Sequence, residues 1–267
     1  MIFLLFAGAG LLFGLGSSQG AYFERKVAED IRSKLQGEHR KVEVRSRLVG
    51  LNALVGHLKR VTITASDFST PGLPLFTEPD HPKSGAIDEL RIELLNFDLK
   101  NLHIDRLYSS IPDCRFDFGQ AVFHNRIRLT RSGTGRGSVQ VSERNLEYFI
   151  LKKFHEIKEV HVKIGGGRVA VSGYGEFLLL STHFAVDATL SAVGGTRVNL
   201  TDAHISFDGK AADELSSRAL LSVLNPVVDF DRDLLLYGAI SLDRIKLENA
   251  VLVAEGRTMI PAKPRTQ

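Results

Sequence analysis

The chain has 267 residues, with 34 Lys and Arg against 31 Asp and Glu and a single cysteine. That length holds one large all-β body or two small domains, and one cysteine excludes a disulfide framework. The mild basic excess, with a pI near 9.0, is interleaved with acids and has no aromatic platform beside it, which argues against nucleic acid.

Residues Ile2 to Gly16 are uncharged and mostly Leu, Phe, Ile, Ala and Gly. The run has the length of a signal-peptide core and is shorter than the ~20 residues of a spanning helix. Cleavage is expected before Ala21, after Ser18-Gln19-Gly20; if residues 2–23 enter the bilayer together, the segment is instead an uncleaved anchor. Either way residues 1–21 are set apart and the body is expected to be exported. Tyr22 to Leu35 reads as a helix, with Phe23, Val27, Ile31 and Leu35 at four-residue spacing. Basic residues crowd this region. Arg25, Lys26, Arg32, Lys34, Arg40 and Lys41 are candidates for contact with an anionic membrane surface, where each well-placed cation contributes about 1 kcal/mol.

Strands follow at 42–45 and 61–65, separated by an apolar, glycine-punctuated stretch from Leu48 to Gly56. Ser69 to Ser84 contains Pro71, Pro74, Pro79 and Pro82, so it reads as a surface loop or a lid over a pocket mouth. Strands are predicted at 87–94 and 97–104, a helical turn over 105–111, and strand-like stretches at 115–118, 121–124 and 126–130. The Ser-Gly-Thr-Gly-Arg-Gly-Ser run at 132–138 lacks the spacing of a phosphate-binding loop and is read as a flexible hairpin turn.

Ser142 is placed as the N-cap of a second helix, whose stripe is Leu146, Phe149, Ile150, Phe154 and Ile157. Alternation is strongest beyond it: Val160, Val162 and Ile164, then Val169 and Val171, then Phe184, Val186, Ala188 and Leu190. Glycines at 165–167 and 194–195 mark hairpins. A third helix over 211–224 stops at Asn225-Pro226, and strands at 239–242, 244–247 and 250–254 close the body, leaving 257–267 as a frayed tail.

The pattern is an α+β, mostly antiparallel fold, with curved or barrel-like sheets wrapped on amphipathic helices. It forms one domain at 22–256, built from two similar halves at about 22–130 and 139–254. Nothing in it looks like a reaction centre. The nine histidines form no paired metal-ligand motif, and no nucleophile elbow occurs. Cys114 is expected to be a buried apolar residue. No metal, cofactor or catalytic residue is assigned, and the chain is read as a non-enzyme.

Four segments resemble the LmeA-type phospholipid-binding family. They are the helix Ala28-Glu29-Asp30-Ile31 through Leu35, and the stretch Leu51 to Phe68, clearest at Gly56-His57-Leu58-Lys59-Arg60-Val61-Thr62-Ile63-Thr64-Ala65. The other two are the junction Val139-Gln140-Val141-Ser142-Glu143-Arg144-Asn145-Leu146 and the element Leu224-Asn225-Pro226-Val227-Val228-Asp229. The chain departs from the family in its Pro-rich loop and in lacking a Phe-Pro pair before the first glycine turn. The resemblance implies an envelope-facing protein that binds or shuttles phospholipid, or another acyl lipid, in an elongated apolar groove. The helix faces around Leu146, Phe149, Ile150 and Phe154, and around Leu220, Val223 and Leu224, are the candidates to line it. The alternatives are an envelope interaction module with a filled core and a hydrolase or transferase acting on lipid-linked sugars.

Overall fold

In a computed structural model, which describes residues 17–48, 56–73, 78, 80–177 and 180–260, the alternating apolar residues build two open, curved sheets. The first runs in the order β1 (Lys41–Leu48), β2 (His57–Thr70), β3 (Gly85–Leu99), β4 (Leu102–Phe116), β6 (Gly135–Ser142), β14 (Val251–Thr258) and β13 (Ile240–Glu248), with β5 (Leu129–Arg131) beside β4. The second runs β11 (Lys210–Ala211), β10 (Arg197–Phe207), β9 (Leu180–Val193), β8 (Arg168–Phe177) and β7 (Ile157–Gly165), with β12 (Val228–Asp229) beside β10. Four helices accompany them among the described residues: α1 (Ser17–Lys34), α2 (Phe118–His124), α3 (Glu143–Lys153) and α4 (Glu214–Leu224). The fold is α+β and mostly antiparallel.

The exception is β2 with β3, which pair in parallel from His57↔Ala86 to Thr70↔Leu99. A parallel pair cannot be closed by a tight turn; the chain must travel back the length of a strand. The Pro-rich stretch after Thr70 is that return. Its residues 74–77 and 79, residues 1–16 of the expected leader and residues 49–55 of the glycine-punctuated stretch lie outside the described residues.

Both outer edges that start a half are covered by a helix in the same way. Glu24 of α1 accepts hydrogen bonds from the Ser46 backbone N–H (2.6 Å) and hydroxyl (2.8 Å) on edge strand β1. Glu147 and Glu143 of α3 accept the N–H groups of Val162 (2.8 Å) and Ile164 (2.6 Å) on edge strand β7. An open strand edge is a template for unwanted pairing, and these carboxylates occupy its donors. The halves are not separate bodies, however. After β12 the chain returns to the first sheet, where β14 pairs with β6 from Val251↔Ser142 to Thr258↔Gly135.

Three local readings are corrected. The turn predicted over 105–111 is the middle of β4. That strand's buried residues alternate through Leu102 and Ile104, slip phase, and resume at Leu107, Ser109 and Ile111. The slip faces Asn96 of β3, which takes a positive φ of 49° between the pairs Leu95↔Arg106 and Phe97↔Ile104. The strand expected at 121–124 is instead the end of α2, whose N-cap Asp117 accepts from the Gln120 N–H. The glycine run at 132–138 is no loose turn beyond Thr134. Gly135 and Gly137 lie in β6, where an added Cβ would sit 2.3 Å from the Ser110 carbonyl and 2.9 Å from that of Tyr108, so their absence of a side chain lets β4 and β6 close up.

The helices are tied down by buried charge. Arg128, 5% exposed, donates to both oxygens of Asp30 in α1 (2.7 and 3.1 Å) and pairs with Glu78 of the crossover (2.7 Å). His81 bridges Glu78 (2.7 Å) to Asp117 (2.9 Å). Burial raises the affinity of Asp30 for a proton, but the hydrogen bonds and charge of Arg128 outweigh it and hold the carboxyl below its ordinary range. Asp105 of β4 does for α3 what the Ser142 side chain was expected to do. Ser142 occupies the N-cap without a side-chain cap bond, and Asp105 accepts instead from the Ser142 N–H (2.6 Å) and the Asn145 amide (3.0 Å). A carboxylate there also suits the positive end of the helix.

Candidate functional site

Between the facing sheets lies a cavity of about 80 Å³ whose walls are entirely Leu, Ile, Val, Phe and Ala. Sheet one contributes Leu102, Ile104 and Leu252 among others; sheet two contributes Val162, Phe184, Val186 and Leu200. Each of these is an inward member of an alternating strand, so the pattern that makes the sheets also makes the cavity apolar. A second cavity of similar volume lies under the end of α1, walled by Ile31, Leu35, Phe68, Ile92, Leu94 and their neighbours. Its two polar wall residues, Ser109 and Thr258, hydrogen-bond each other at 2.7 Å. The two cavities share Leu107, Leu236 and Ile240 as common wall. A water needs about 10–15 Å³ by this kind of measure, so each cavity has room for a few methylene groups.

Leu234 and Leu236 reach this interior from the segment between β12 and β13, and both are 2% exposed. The segment is fixed from α3: the Lys153 ammonium donates to the Pro226 and Val227 carbonyls (both 2.9 Å) and to Asp233 (2.5 Å). The same ammonium lies 5.8 Å from the Phe149 ring centre and 5.3 Å from that of Phe154. Burial raises the Asp233 carboxyl, while the bonds from Lys153 and the Asp229 N–H prevail and leave it below its ordinary range. At the end of α4, Asn225 stands in for a strand. Its amide accepts from the Leu200 N–H (2.8 Å) and donates to the Leu200 carbonyl (3.1 Å), beside a cis peptide to Pro226.

The sequence profile of LmeA-like phospholipid-binding proteins matches residues 83–257, which takes in most of both sheets and most of the walls just described. The chain belongs to the LmeA-like phospholipid-binding family. No curated protein and no solved structure matches it. Family membership attaches lipid binding to this architecture, and the wholly apolar wall of the cavity between the sheets suits hydrocarbon.

Within this LmeA-like chain, four of the seven helix residues singled out from the sequence, Leu146, Ile150, Phe154 and Leu224, line the cavity between the sheets. Phe149 and Leu220 are buried without bordering it, and Val223 is turned outward, 45% exposed. On α4 four apolar residues follow one another closely (Leu220, Leu221, Val223, Leu224), and spacing alone does not choose which face is inside. The sequence reading missed Leu234 and Leu236. Their only signal is the Leu234-Leu235-Leu236 run, which has neither a helical nor a strand period.

The six basic candidates divide. Arg40 donates to the Arg32 carbonyl (3.2 Å) and to that of Gly37, closing the end of α1. Lys34 sits half-buried beside Arg128, Asp30 and Glu78; burial and then the Arg128 charge lower its pKa. Lys26 pairs with Glu29 at 2.7 Å. Arg25 lies over the Tyr22 ring, 5.8 Å from its centre. Arg32 and Lys41 are exposed. Cys114 is fully buried, and desolvation, then the charge of Asp113, pushes its thiol up to about 12, which makes it a poor nucleophile. Among the described residues no three His, Cys, Asp or Glu converge as a metal site, and no helix is long and apolar enough to cross a membrane.

Proposed function

We propose that the protein binds phospholipid by drawing acyl chain into the apolar space between its sheets, and that it carries lipid at the bacterial cell envelope. The observation that supports this most is the cavity wall itself. It offers no donor or acceptor to a phosphate, so a headgroup stays outside it, while each methylene buried contributes about 0.8 kcal/mol. The two adjoining cavities extend the apolar path from beneath α3 to beneath α1, as an elongated groove requires. Export and a place at the outer face of the cytoplasmic membrane are part of the proposal. They rest on the uncharged Ile2–Gly16 run and on the outward cations Arg25, Lys26, Arg32 and Lys41, which suit an anionic surface.

The test is to incubate the purified full chain with phosphatidylglycerol–phosphatidylethanolamine vesicles, remove the vesicles, and examine the protein by native mass spectrometry. A population heavier by one phospholipid is expected. A folded chain that never acquires lipid would leave the interaction module with a filled core as the better reading.

A further inference from the structure

We infer that Leu236 is the residue that decides how far an acyl chain can run through the interior, and so sets acyl-length preference; this rests on the lipid-binding reading above. Of the three residues common to both cavities, Leu107 belongs to β4 and Ile240 to β13, each fixed within a hydrogen-bonded ladder. Leu236 belongs to no strand. Its segment bonds mainly to itself: Leu236 N–H to the Phe230 carbonyl (3.0 Å), Ala239 N–H to the Leu236 carbonyl (2.8 Å) and Gly238 N–H to the Asp231 carboxylate (3.2 Å).

The backbone on either side of it is unusual. Leu235 and Tyr237 take φ values of 55° and 41°, a region that residues with side chains seldom occupy. That pair of reversals turns Leu236 into the interior, where it is 2% exposed, and leaves Tyr237 outside at 49%. A leucine held by such a backbone between two all but entirely apolar spaces is a partition. Shortening it joins the spaces, and enlarging it separates them further.

The experiment loads the full chain from vesicles that hold equimolar phosphatidylglycerols of graded saturated chain length, and quantifies the bound species by mass spectrometry. Leu236→Ala is expected to shift the bound mixture toward longer chains, by roughly fourfold for each extra methylene accommodated. Leu236→Phe should shift it toward shorter ones, and Leu215→Ala, on the exposed face of α4, should leave it unchanged. A folded Leu236→Ala protein that binds lipid with the wild-type chain-length profile overturns the inference while lipid binding stands. A wild-type chain that takes up no lipid overturns the parent reading and the partition with it. If Leu236→Ala does not fold, Leu236→Val must show the same shift at smaller amplitude, and an unchanged profile there is equally fatal.

Discussion

Helices α1 and α3 occupy equivalent places, each along the edge strand that opens its half and each offering a carboxylate to that strand's N–H groups. Beneath them the halves diverge. Phe23 and Val27 of α1 are packed in the core, and only Ile31 of its last turn and Leu35 just beyond it border a cavity. Leu146, Ile150 and Phe154 face the cavity along the whole of α3. The fastenings differ too: α1 is clamped by Arg128, one of the most deeply buried charged groups described, whereas α3 is fastened through Lys153 to the segment that carries Leu236. One helix is structural foundation, and the other is cavity wall joined to a partition.

Breaking the first fastening should have the largest effect. Arg128→Ala leaves Asp30 and Glu78 facing a vacated, poorly hydrated site, and a loss of about 3–5 kcal/mol in stability is expected by urea denaturation. A loss below 1 kcal/mol would mean that the α1 clamp is not what separates the halves. Ile150→Trp fills the cavity from the α3 side. Overpacking should cost about 1–3 kcal/mol in the same assay, yet lipid uptake from vesicles should fall at least about tenfold. Retained uptake would remove α3 from the wall of the site. Lys153→Ala removes the three hydrogen bonds that this partly buried ammonium donates and should cost about 1.5–3 kcal/mol, less than the Arg128 variant, read as the shift in denaturation midpoint.

The gentlest probe is pH. Asp30, Asp233 and Glu89 all have folded pKa values below their ordinary ones. For Glu89 the hydrogen bond from Arg91 leads, and the value falls from 4.5 to about 2. Groups depressed in this way contribute stability that is complete above the ordinary carboxylate range and is lost as pH falls through their folded values. The thermal midpoint should therefore be level above about pH 5 and decline steadily toward pH 2. A midpoint that rises on acidification would contradict the ion-pair assignments in both halves.

The parts of the molecule with one dominant period were legible from residue spacing. Phe23, Val27, Ile31 and Leu35 declare α1, and Phe184, Val186 and Leu190 declare an inward strand face. Legibility failed where period breaks. The phase slip between Ile104 and Leu107 hid the centre of β4, and the short α2 is announced by little beyond an Asp cap. The partition was invisible for a deeper reason. Leu236 owes its position to two positive-φ neighbours and to an ammonium some eighty positions earlier, and neither leaves a local pattern. Asp105 capping α3 from another strand is the same kind of nonlocal solution.

The return of the chain to the first sheet also has a consequence for how the protein is made. Val139 pairs with Ala254, so the strand that lies beside β6 is made only after the whole second sheet. Until it arrives, β6 presents a free edge with ladder donors and acceptors unmet, and loop closure over the intervening second half slows its capture. The first sheet therefore cannot be completed before the second has been made, and a pairing so distant in sequence is slow to form.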